Sequence, residues 1–129
     1  MKIESIKFKA KRLDNGKWVE GYFYTECGNT YIIEDRQSES MLNRNEAHQV
    51  DPLTVCQFTG LKDSEGKEIW EDDILEGESK SEVVYTKGTF TISFIDYNKR
   101  VFSYPLCYYI KEDGTVDGKV IGNKFDKEN

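Results

Sequence analysis

The sequence has few of the residues on which catalytic and metal sites depend. Its 129 residues include one histidine, His48, and three cysteines. The cysteines lie far apart, are odd in number and form no C-x-x-C pair, so we predict neither a disulfide framework nor a cysteine zinc site. Free thiols in a reducing compartment are the simplest interpretation of Cys27, Cys56 and Cys107. No cysteine stands at a spacing that pairs it with His48 as nucleophile and base, so we interpret His48 as a surface histidine in a polar loop.

Long apolar runs are also missing. No window approaches the roughly 18 consecutive apolar residues that a membrane-spanning helix needs. The first residues, Met1-Lys2-Ile3-Glu4-Ser5, lack the apolar core of a signal peptide. We therefore expect a cytoplasmic protein without a membrane partner.

Basic charge is in deficit, with a net charge of −6. Nucleic-acid phosphates attract basic faces, so this balance disfavours a nucleic-acid-binding protein. The one basic run is interpreted as a solvated strand face. A nucleic-acid-binding barrel stays as the alternative, and it would be favoured by a basic cleft beside Trp18 and Tyr22 that is lined by Lys7, Lys9, Lys11 and Arg12.

Acidic residues cluster in the middle of the chain, but their spacing matches no known ion-binding loop. A calcium loop needs oxygen ligands at alternate positions with glycine sixth, and Gly66 comes too early after Asp63. A phosphate-binding loop fails too, because no lysine and hydroxyl pair follows the glycines. We predict no catalytic residue, no cofactor and no metal ligand, and interpret the cluster as a solvated, turn-rich edge: Asp63, Glu65, Glu68, Glu71, Asp72 and Asp73.

The N-terminal segment has the pattern of a β-hairpin. Asn15-Gly16 is typical of a two-residue type I′ turn, which would place Phe8 opposite Phe23 on a buried face. The other face then carries three large aromatic residues among lysines. Exposed aromatic patches on soluble proteins often mark contact sites. We therefore predict a self-association surface, used in a symmetric contact, that is formed by Trp18, Tyr22 and Tyr24. The alternative is that the barrel of the same chain covers this face and the protein is a monomer.

The rest of the chain also favours short strands joined by frequent turns. Asp51-Pro52 predicts one short helical turn, and Lys87-Gly88 a hairpin turn. Pro105 predicts an edge strand or a bulge, because proline cannot donate to a strand ladder. The fold class is mainly β, a small barrel or sandwich. Residues 35–49 are interpreted as a loop, or at most a short helix. This segment divides the chain into 1–49, the hairpin region and variable loop, and 50–129, the barrel, which we expect to form one compact unit. A single core face is predicted for Val83, Tyr85, Phe90, Ile92 and Phe94.

Several sequence blocks resemble the YopX family, small proteins encoded mostly in phages and prophages. The central block runs from Val50-Asp51-Pro52 through Gly60-Leu61 to Asp63 and Gly66, and the hairpin block comprises residues 8–12 and 18–22. Ile69-Trp70-Glu71-Asp72-Asp73-Ile74 and Val120-Ile121-Gly122-Asn123 are similar to two further elements of that family. Asp72 stands where the family typically has glycine, so we expect strain if its φ is positive.

The resemblance implies properties that composition and spacing do not. It implies an SH3-like barrel, self-association, and a phage or prophage origin, which places the protein in the cytoplasm of a bacterial host. It implies no known activity. The sequence therefore predicts a non-enzymatic protein that forms a homo-oligomer and binds a host or phage macromolecule.

Overall fold

Antiparallel strands make up nearly all the regular structure in the residues that the computed structural model describes, which are 2–34, 46–95 and 98–126. The strands lie in two sheets. The only helical segments in the described ranges are three short 3-10 turns, and none of the helices there is long and apolar enough to cross a membrane. The prediction of a mainly β fold is confirmed. The chain divides into two units, Met1–Gln57 and Phe58–Asn129.

The first unit is built on four antiparallel strands and the start of a fifth. In chain order the strands are β1 Phe8–Lys11, β2 Trp18–Glu26, β3 Asn29–Glu34, β4 Ala47–Val50 and β5 Cys56–Lys62. Their order is β4-β3-β2-β1, and the first residues of β5 pair with β1. Strand β4 is therefore an edge strand. This strand also corrects the predicted loop 35–49, because the last three residues of that range are strand. Residues 35–45 of the predicted loop lie outside the described residues.

The β1–β2 hairpin has a different register from the predicted one. Phe8 lies opposite Gly21, not Phe23. The shift is two residues, so the faces are unchanged, because side chains alternate with a period of two. Phe8 and Phe23 still share a face, with ring centroids 4.7 Å apart. Phe23 is 45% exposed, however, so the prediction that it is buried is wrong.

The hairpin loop explains the shift. A type I′ turn needs positive φ at both central residues, and in the Asn15-Gly16 pair only Gly16 has it, at 70°. The loop is longer: Gly16 N–H donates to Arg12 O, and Arg12 N–H donates to Lys17 O, both at 2.9 Å. Asn15 acts through its side chain, whose oxygen accepts Lys17 N–H.

The apolar face of this sheet packs beside a short 3-10 turn, Pro52–Thr54, as predicted from Asp51-Pro52. Asp51 caps the turn by accepting Leu53 N–H at 3.0 Å. Thr54, in the same turn, accepts Lys11 N–H from β1 at 2.9 Å. The buried cluster has four members, with Phe8 and Val55 packed against it: Ala10, Val19, Ile32 and Val50.

The second unit contains the remainder of β5 and a five-stranded antiparallel sheet. Its strands are β6 Glu68–Trp70, β7 Asp73–Glu76, β8 Lys80–Thr86, β9 Thr89–Ile95, β10 Val101–Pro105 and β11 Lys119–Asn123. Strand β6 pairs with β5, and the other five have the order β10-β9-β8-β7-β11. Strands β10 and β11 form the two edges of this sheet and do not pair with each other. Neither sheet is closed among the described strands, so the predicted barrel is corrected to open sheets and its SH3-like character is not confirmed.

The predicted turn at Lys87-Gly88 is confirmed, with φ of 53° and 79° at its two central residues. Val83 and Ile92 face each other and are buried, as predicted, with Phe90 and Phe94 packed against their cluster. Tyr85 lies on that face beside the turn of the hairpin and is 49% exposed, so its assignment to the core is wrong.

Pro105 ends the edge strand β10, as its missing N–H predicts. The chain then forms the 3-10 turn Leu106–Tyr109 instead of continuing as a strand. Leu106 is buried, whereas Tyr108 is 74% exposed. The third 3-10 turn, Ile3–Ser5, precedes β1.

Candidate functional site

The outer face of the first unit's sheet carries lysines and aromatic residues in contact. Antiparallel pairing puts Lys11 directly opposite Trp18 and Lys9 opposite Glu20. Lys9 Nζ lies 4.6 Å from the centre of the Trp18 ring, and Lys11 Nζ 5.3 Å from it. Both distances are within the range of cation–π attraction. Trp18 is partly buried, and the two ammonium groups beside its indole add positive charge to this aromatic surface.

Tyr22 and Tyr24 continue this face along β2. Tyr22 is 38% exposed. Together with Lys7 and Glu20 it lines a depression of about 300 Å³. Tyr24 stacks on Tyr31 of β3, with ring centroids 5.0 Å apart and planes 17° from parallel.

The structure therefore brings the three predicted contact residues onto one face, which we call the lysine–aromatic face: Lys7, Lys9, Lys11, Trp18, Tyr22, Tyr24 and Tyr31. Sequence reasoning missed Tyr31, whose place depends on the β2–β3 register. That register is fixed by a two-residue turn at Cys27-Gly28, with φ of 52° and 81°. Arg12 is not part of the face; its guanidinium binds the Asp14 carboxylate at 2.6 Å.

His48 is not the loop residue that the sequence predicted. It lies on β4 opposite Ile32, and its side chain is 12% exposed. Its Nε2 is 3.1 Å from a Glu34 carboxylate oxygen and 3.6 Å from one of Glu46. The sequence did contain a signal for this arrangement. Glu46 and His48 are two residues apart, so they lie on the same face if the segment is a strand. Using it required the β3–β4 pairing.

The acidic cluster of the second unit also differs from its prediction as a solvated edge. Asp63 and Asp73 are 1% and 2% exposed. Asp63 Oδ1 accepts Glu65 N–H and Lys67 N–H at 2.9 and 2.8 Å, and Oδ2 accepts Val120 N–H at 2.8 Å. Burial raises the pKa of Asp63, but these three donors outweigh burial and hold it below its usual range.

Asp73 ties the turn before β7 to the C-terminal strand. Its Oδ2 accepts Trp70 N–H at 2.8 Å, and its Oδ1 accepts the Asn123 amide at 2.9 Å. The same amide donates to Glu71 O at 3.2 Å. The buried carboxylates of Asp63 and Asp73 thus hold backbone in place, which is a structural task.

Asp72 has the positive φ that the sequence raised as a source of strain, at 69°. Its N–H donates to Val83 O at 2.7 Å, and its O accepts Lys124 N–H at 2.9 Å. Its carboxylate lies 3.4 Å from Lys124 Nζ. Burial lowers the pKa of Lys124, but the charges of Asp72 and Glu82 raise it above its ordinary value.

The three cysteines form no disulfide. Cys56 is buried and its thiol donates to Thr54 O at 3.3 Å, whereas Cys27 and Cys107 are exposed.

Comparison with known proteins gives one match. Residues 7–128 match the family described as YopX protein, which is nearly the whole chain. A search of curated proteins finds no match, and neither does a search of solved structures.

Proposed function

We propose that this chain, which belongs to the YopX family, is a non-enzymatic binding protein that self-associates through its lysine–aromatic face and binds a host or phage macromolecule. The observation that carries the proposal is the contact of Lys9 and Lys11 with Trp18 beside the exposed Tyr22. An antiparallel sheet that faces water normally has a polar outer side. Large aromatic residues on such a side favour a contact surface.

The charge distribution along the chain suggests how two copies meet. Residues 58–129 contain 15 acidic and 10 basic side chains, a net charge of −5, whereas residues 1–57 contain 9 acidic and 8 basic ones, a net charge of −1. A contact between two lysine–aromatic faces would bring the lysines of both copies together, an effect that Glu20, opposite Lys9 on the same face, offsets in part. We infer instead a head-to-tail contact, in which the lysines of one copy meet the acidic second unit of the next. Complementary charge steers such encounters.

Light scattering tests the self-association. We expect the wild type to exceed its 15.0 kDa monomer mass at micromolar concentration and to approach it at high salt. Tyr22→Lys and Lys9→Glu should each give monomers. Leu53→Lys is the matched control, because Leu53 is 81% exposed in the 3-10 turn of the first unit, outside this face and outside the acidic second unit. A monomeric wild type would contradict the proposal, and an oligomer that survives both substitutions would move the contact elsewhere.

Nucleic acid is the second candidate partner. Lys7, Lys9 and Lys11 beside Trp18 and Tyr22 combine positive charge with aromatic rings on which bases stack. The net charge of −6 opposes this function. Fluorescence polarisation with a labelled single strand separates the two candidates. Binding that weakens steeply with salt and is lost in Lys9→Glu would favour nucleic acid.

The phage or prophage origin and the bacterial cytoplasm complete the proposal, and the family resemblance supports both.

A further inference from the structure

We propose that Glu34, Glu46 and His48 form a binding site for a divalent transition-metal ion such as Zn²⁺. The donor atoms of these three side chains all lie within 4.8 Å of one another. The site lies on the opposite side of the sheet from the lysine–aromatic face. It is therefore independent of the proposed self-association.

Strand pairing places the three donors on one side of the sheet. The β3–β4 register pairs Ile32 with His48, and Glu34 N–H donates to Glu46 O at 2.9 Å. Glu34 and Glu46 are thus direct cross-strand neighbours, and His48 is two residues from Glu46 on the same face. Strand pairing alone therefore brings the three side chains together.

The two distances from His48 fit a single ion, and the Glu34 and Glu46 carboxylate oxygens lie within 4.8 Å of each other. Zinc binds imidazole nitrogen and carboxylate oxygen at about 2.0–2.2 Å, so two ligands in tetrahedral geometry lie roughly 3.4 Å apart. His48 Nε2 lies 3.1 Å from Glu34 Oε2 and 3.6 Å from Glu46 Oε2, on either side of that value. With three protein ligands, the fourth tetrahedral position is open to water.

Charge and ligand type favour an ion at this place. A divalent cation bound to both carboxylates would neutralise their two negative charges. Imidazole suits zinc, iron and nickel, whereas an all-oxygen site would suit magnesium or calcium. His48 must be neutral at Nε2 to bind the ion, with its remaining proton on Nδ1. A bound ion would fasten the edge strand β4 to β3.

Calorimetric titration with Zn²⁺ tests the site, using Cys27→Ser/Cys107→Ser protein because both exposed thiols also bind zinc. We expect one saturable zinc site. We also expect zinc binding to raise the melting temperature of the protein. His48→Gln, Glu34→Gln and Glu46→Gln should each weaken binding by about tenfold or more. Glu26→Gln is the matched control, an exposed glutamate on β2 that should bind zinc like the parent.

Two further measurements make the outcome decisive. Co²⁺ should give a visible spectrum without a thiolate charge-transfer band, and Mg²⁺ should not compete. The Glu46 side chain is 58% exposed, so Glu46→Gln should keep the fold, as checked by circular dichroism, even if His48→Gln does not. Absence of saturable zinc binding, or unchanged binding in Glu46→Gln and Glu34→Gln, would overturn the proposal.

Discussion

Removing the Asp63 carboxylate should destabilise the second unit far more than removing an exposed carboxylate of the same unit. In Asp63→Ala, three N–H groups at the β5–β6 turn and on β11 lose their acceptor: Glu65, Lys67 and Val120. A buried donor without a partner costs about 1–3 kcal/mol. Partial access of water to the exposed Glu65 and Lys67 reduces the sum. We expect a loss of about 3–6 kcal/mol, a large part of the roughly 5–15 kcal/mol that is typical of a folded domain.

Urea unfolding of Trp18→Phe protein, in which Trp70 is the remaining tryptophan, measures this loss by fluorescence. Asp113→Ala is the matched control, since Asp113 makes the same kind of turn, accepting Thr115 N–H at 2.9 Å, but is exposed. Its loss should be far smaller. The lowered pKa of Asp63 also makes the wild type acid-sensitive. The Asp63 carboxylate stabilises the fold fully above its unfolded-state pKa near 3.8, and this stabilisation is lost as the pH falls through the lower pKa of the folded state. Equal losses for the two variants would refute the assigned role of Asp63.

Three other substitutions test the backbone and the core. Gly21→Ala should disrupt the β2–β3 pairing, because a Cβ there would lie 1.9 Å from Ile33 O. Circular dichroism should show loss of the folded first unit, and a stably folded variant would contradict this prediction. Asp72→Gly should change the free energy of unfolding by no more than about 1 kcal/mol, because glycine tolerates the positive φ and this gain offsets the lost ion pair with Lys124. A larger loss of stability would show that the Asp72 side chain is essential. Ile92→Ala should cost about 2–5 kcal/mol and the half-exposed Tyr85→Ala clearly less, and the reverse order in denaturant titration would mean that the core face is misassigned.

The sequence predicts local features of this fold well where one residue type determines the backbone. Lys87-Gly88 gives the expected hairpin turn, and Asp51-Pro52 the expected 3-10 turn. Pro105 ends an edge strand because it cannot donate a hydrogen bond. Each of these signals acts within a few residues, so no tertiary information is needed to interpret it.

Register and pairing between distant segments could not be predicted in this way. The Asn15-Gly16 signal gave the right hairpin but a register wrong by two residues, because Asn15 bonds through its side chain instead of adopting positive φ. The assignment of side chains to the two faces of the hairpin was still correct, because a register error of two residues leaves the alternation unchanged. Trp18, Tyr22 and Tyr24 were therefore assigned to the correct side of the sheet.

The burial of polar side chains was also predicted wrongly from the sequence. Asp63 and Asp73 looked solvated in the sequence, because a run of carboxylates does not reveal which of them accept buried N–H groups. Each of the two has a partner on β11, 57 residues away for Asp63 and 50 for Asp73. His48 was misassigned for the same reason: its neighbour Glu34 belongs to another strand, and only the β3–β4 register brings the two together.

The central claim is that Trp18 lies in the contact between copies, and quenching of its fluorescence tests this most directly. In Trp70→Phe protein, Trp18 is the only tryptophan. We predict that acrylamide quenches it strongly in dilute protein and progressively less as the concentration rises through the micromolar range, with Tyr22→Lys abolishing the protection. Quenching that stays the same while light scattering reports a growing mass would contradict the account, because copies would then associate without covering the lysine–aromatic face.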